Sequence, residues 1–98
     1  MIEIEVAIPS PPRSFSVPQL VENLCAKEGL TLTMQGTLAK YPNCLHWHYK
    51  KGKASGTLEI TWWETENRLW FKVSAGSRGV WIDEAIAQLK YQIESVLG

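Results

Sequence analysis

Two histidines and a cysteine are the side chains best suited to chemistry in this 98-residue sequence. Cys44, His46 and His48 stand two residues apart, and the segment Leu45-His46-Trp47-His48-Tyr49-Lys50 alternates apolar with polar residues. Such alternation marks a strand with one buried face, so the three side chains fall on the same side. Thiolate and imidazole are ligands that zinc takes, and three of them on one strand face can converge on a cation. If the next strand pairs with Trp47 opposite Ile60, Glu59 lies beside His48, as a further ligand or as a carboxylate that orients the ring. The spacing is not diagnostic by itself, because histidines also alternate on solvated strands, and the chain has only two. Metal binding through Cys44, His46 and His48 is therefore an alternative reading, and no cofactor is expected.

Catalytic arrangements are poorer still. Cys44 and His46 on one strand face would stand roughly 6–7 Å apart, too far for a nucleophile and its base to share a hydrogen bond. Gly76-Ser77-Arg78-Gly79 is too short for a phosphate-cradling loop and lacks its lysine. It reads as a strand-to-helix turn, which could at most meet an anion at the helix start through Arg78. The chain is not expected to be an enzyme.

The elements that position these residues follow from periodicity. Ile2, Ile4, Val6 and Ile8 alternate with Glu3, Glu5 and Ala7, and Pro9, Pro11 and Pro12 end that strand. Ser16 with Gln19 resembles a capping box, Pro18 suits a first helical turn, and Val17, Leu20, Val21, Leu24 and Cys25 form a helical stripe, predicting a helix over 17–28. Four strands are then expected. The first runs from Leu30 through a bulge at Gly36 to Tyr41. The others contain Leu45–Tyr49, Leu58–Trp63 and Arg68–Val73, with turns at Pro42-Asn43, Gly52–Gly56 and Glu64–Asn67. Ile82, Ile86, Leu89 and Ile93 mark a closing helix over 80–97.

The fold class is thus α+β, a single domain of order β-α-β-β-β-β-α, with a mainly antiparallel curved sheet and both helices on one face. In topology alone this order resembles the helix-grip and TATA-binding-protein-like arrangements. The expected core comprises Ile4, Val6, Leu20, Leu24, Leu32, Trp47, Ile60, Trp62, Phe71, Val73, Ile86, Leu89 and Ile93.

One helical layer would leave the other sheet face open, with His46, His48, Thr61, Trp63, Arg68, Trp70 and Lys72 among its residues. Threonines and charges suit a solvated face; Trp63 and Trp70 do not, and indoles are enriched where proteins meet. The leading expectation is a small non-catalytic interaction module that uses Trp63, Trp70, Arg68, Lys72, His46 and His48 for self-association, as a homodimer, or for a partner protein. A second alternative is single-stranded nucleic acid. No acidic residue occurs from Gly29 to Leu58, while Lys40, Lys50, Lys51 and Lys53 do, and bases can stack on indoles. Against it, ten basic residues balance ten acidic ones, a weak electrostatic footprint for a polyanion. The start Met1–Val6 lacks a basic segment and apolar run, and no stretch approaches a membrane span, so a cytoplasmic protein is expected.

Overall fold

Strand β1 (Ile2–Val6) leads through helix α1 (Val17–Lys27) to β2 (Thr31–Gly36), and β3 (Leu45–Lys50), β4 (Leu58–Trp63) and β5 (Arg68–Val73) precede helix α2 (Val80–Leu97). The computed structural model describes residues 2–9, 16–73 and 79–97. Gly76, Ser77 and Arg78 of the expected strand-to-helix turn lie outside them. The five strands make one open sheet in the order β1-β5-β4-β3-β2, with every neighbouring pair antiparallel. The expected class and element order are those observed.

Local chemistry sets the element ends. The Ser16 hydroxyl accepts from the Gln19 N–H at 3.4 Å, and Pro18 occupies the first turn of α1. Gly29, at φ 78°, closes that helix in a left-handed conformation that side chains disfavour. Asn67 turns the chain from β4 into β5 at φ 52°, and its amide donates to the Ile8 and Pro9 carbonyls at 3.2 and 3.3 Å. That amide ties the β4–β5 turn to the end of β1.

Both helices lie on one sheet face. Val17, Val21 and Cys25 of α1 join Ile82, Ile86, Leu89 and Ile93 of α2, packed on Val6, Trp47, Leu58, Ile60, Trp62, Leu69, Phe71 and Val73. Trp47 is fully buried, and its indole N–H is satisfied by the Glu22 carboxylate at 3.1 Å. Burial pushes the Cys25 thiol up to about 12, the state of a small hydrophobe rather than a reactive group.

Two expectations are corrected at β2. The strand stops at Gly36 instead of continuing to Tyr41, and its irregularity falls between Leu32 and Met34, not at Gly36. Leu32 pairs with Tyr49 on the helix side, but Met34 pairs with His48 on the opposite side. One extra residue, Thr33, switches the faces, and its hydroxyl donates to the His48 carbonyl at 3.1 Å. Leu32 is not core either: on the outermost strand it is 42% exposed.

Candidate metal centre

Hairpin register brings the functional side chains together. Trp47 pairs with Ile60 and His48 with Glu59, while Glu59 pairs with Lys72 and Trp63 with Arg68. On the face away from the helices this makes two rows across the sheet. One runs Glu3, Lys72, Glu59, His48, Met34; the other runs Glu5, Trp70, Thr61, His46, Gly36.

That face is not open, which corrects the expectation of an exposed aromatic surface. The segment from Thr37 to Cys44 folds back over it. Its own hydrogen bonds make it compact: Tyr41 N–H to the Leu38 carbonyl at 3.0 Å, Cys44 N–H to the Tyr41 carbonyl at 3.1 Å, and Leu38 N–H to Cys44 Sγ at 3.3 Å. Tyr41 wedges between the two indoles, with ring centroids 5.0 Å from Trp63 and 4.9 Å from Trp70, both edge to face. The Trp63 N–H donates to the Pro42 carbonyl at 3.1 Å, and the Arg68 guanidinium lies 4.5 Å over Trp70. Arg68 also pairs with Glu5 on β1, which raises its pKa further. Trp70 is buried as a result and Trp63 half-buried. Trp70 therefore has no open ring face for base stacking, and Trp63 only part of one.

Cys44 ends that segment and is not part of the group formed by the histidines. It precedes β3, is buried, and is engaged by Leu38. Among the described residues the group able to hold a cation is His46, His48 and Glu59. Its geometry is specific. His46 Nε2 lies 3.0 Å from His48 Nε2 and 3.4 Å from Glu59 Oε1, and His48 Nε2 lies 3.7 Å from the same oxygen. Ligands bound to zinc at about 2.0–2.1 Å and tetrahedral angles stand about 3.3 Å from each other. The three atoms thus outline one face of such a tetrahedron.

The surroundings hold the rings in place. His46 is 3% exposed, and its Nδ1 is 2.8 Å from Thr61 Oγ1, a buried hydroxyl that fixes the ring plane and turns Nε2 inward. Burial lowers the His46 pKa, helped by the neighbouring His48 and by Lys72, while Glu59 opposes the shift. The ring is therefore neutral near pH 7, with a lone pair for a Lewis acid. Without a cation, a proton on one Nε2 can bridge the two nitrogens; a cation would take its place once that proton moves to Nδ1. His48 is 29% exposed and Glu59 15%, so solvent reaches the triad from one side.

Sequence reasoning identified both histidines and put Glu59 beside them, but ranked Cys44 as the third ligand. The Thr61 support was missed; its signal was already present, because Trp47 opposite Ile60 also puts His46 opposite Thr61. Set against family models, curated proteins and solved structures, the chain matches none.

Proposed function

We propose that this chain is a small non-catalytic binding module that holds one divalent transition-metal ion of the zinc class on its sheet face. The observation that carries this reading is the convergence of His46 Nε2, His48 Nε2 and Glu59 Oε1 at 3.0–3.7 Å. Two imidazoles and a carboxylate suit zinc better than calcium or magnesium, which prefer all-oxygen cages. Three protein ligands leave a fourth position for water or for a group from a partner. A reducing, cytoplasmic setting agrees with the two buried, unpaired thiols, Cys25 and Cys44. Among the described residues no helix is long and apolar enough to cross a membrane.

The test is calorimetric titration of the metal-free chain with zinc. One ion per chain is expected to bind. His48→Ala, which alters a partly exposed ring and leaves the core intact, should weaken binding by more than the roughly 10–100-fold that loss of a supporting hydrogen bond costs. Thr61→Val should fall within that smaller range. Absence of binding by the parent, or equal binding by His48→Ala, would contradict the proposal.

A further inference from the structure

The two edges of the sheet are finished differently. At the β1 edge one donor and one acceptor are occupied. Ala7 N–H donates to a Glu94 carboxylate oxygen at 2.9 Å, and the Lys90 ammonium donates to the Glu5 carbonyl at 3.1 Å. Lys90 and Glu94 are themselves an i,i+4 ion pair on α2. The Ala7 N–H and the Lys90 charge together hold the Glu94 carboxyl below the usual carboxylate range. One ion pair thus caps a donor and an acceptor on the outer side of β1, where Glu3 and Glu5 add charge.

Among the described residues the β2 edge has no such cover. Five of its six residues are exposed and the last is half-buried, with Leu32 at 42% and Met34 at 44%. Thr31–Gly36 contains no Lys, Arg, Asp, Glu or Pro, the residues by which edge strands usually discourage pairing. The bulge at Thr33 is the one edge-blunting device on this strand.

We propose that β2 is the docking edge for a second copy of this chain, the two β2 strands pairing antiparallel about a two-fold axis to join both sheets into one. A free edge is completed by another free edge. Pairing of β2 with the β1 of another copy would be head-to-tail and could grow into open chains, but the Lys90–Glu94 pair already occupies the Ala7 N–H and the Glu5 carbonyl there. The β2–β2 contact remains, and its symmetry closes the assembly at two. Charge permits the contact: an uncharged strand brings no like charges face to face, and ten basic residues balance ten acidic ones in the whole chain. Leu32 on the helix side and Met34 on the His48 side would each gain cover. This contact replaces the largely covered Trp63–Trp70 face as the route to the anticipated homodimer.

The test is the mass in solution, by sedimentation, with the chain at tens of micromolar. Twice the 11.1 kDa chain mass is expected for the parent. Leu32→Lys combined with Met34→Lys should sediment as a single chain with an unchanged far-ultraviolet spectrum, since both side chains already meet water. A variant-free check is amide exchange of the parent, in which residues 31–36 should gain protection as concentration rises. A parent that sediments as one chain, a dimer that survives both lysines, or exchange at β2 that ignores concentration would overturn the proposal.

Discussion

Zinc is expected to raise the melting temperature of the parent chain and to leave that of His48→Ala unchanged. A ligand that binds only the folded state stabilises it by about 2.7 kcal/mol when its free concentration is 100 times its dissociation constant. For a domain of this length each kcal/mol moves the midpoint by about 4–8 °C, so a rise of roughly 10–20 °C should be read by calorimetry. His46 is the wrong residue for the control. It is buried and hydrogen-bonded to Thr61, so its removal would confuse loss of metal with loss of packing. His48 is more exposed and separates the two effects. An equal rise in parent and His48→Ala would mean that zinc acts elsewhere.

Phe71→Ala should cost about 3–5 kcal/mol, measured by denaturant unfolding. Phe71 is fully buried in β5, paired with Ile4 on one side and Ile60 on the other, beneath both helices. The loss is large against the about 5–15 kcal/mol that hold a domain together. A Phe71→Ala protein with parental stability would show that this face of β5 is not the core.

Much of the fold was legible because β3, β4 and β5 alternate strictly. Leu45, Trp47 and Tyr49 against Leu58, Ile60 and Trp62 fix which face each residue takes, and the observed register, Trp47 opposite Ile60, places Glu59 and Thr61 beside the histidines. The helices were legible for a similar reason, each with one apolar stripe and a recognisable start. Two features were not. A one-residue bulge leaves no periodic trace, so Leu32 and Met34 read as one face when Thr33 divides them. The other was the chain from Thr37 to Cys44, which reads as strand and turn. Its course depends on contacts distant in sequence, Tyr41 with Trp63 and Trp70 above all. That fold-back buries Trp70, half-buries Trp63 and engages Cys44 through Leu38, so the aromatic face is not the open one expected and Cys44 lies outside the group of His46, His48 and Glu59.

X-ray absorption at the zinc edge of the metal-loaded chain tests the central claim most directly. The arrangement predicts nitrogen and oxygen neighbours only, at about 2.0–2.2 Å, with imidazole scattering from two rings. A sulfur neighbour at about 2.3 Å would put Cys44 at the metal and contradict the triad of His46, His48 and Glu59.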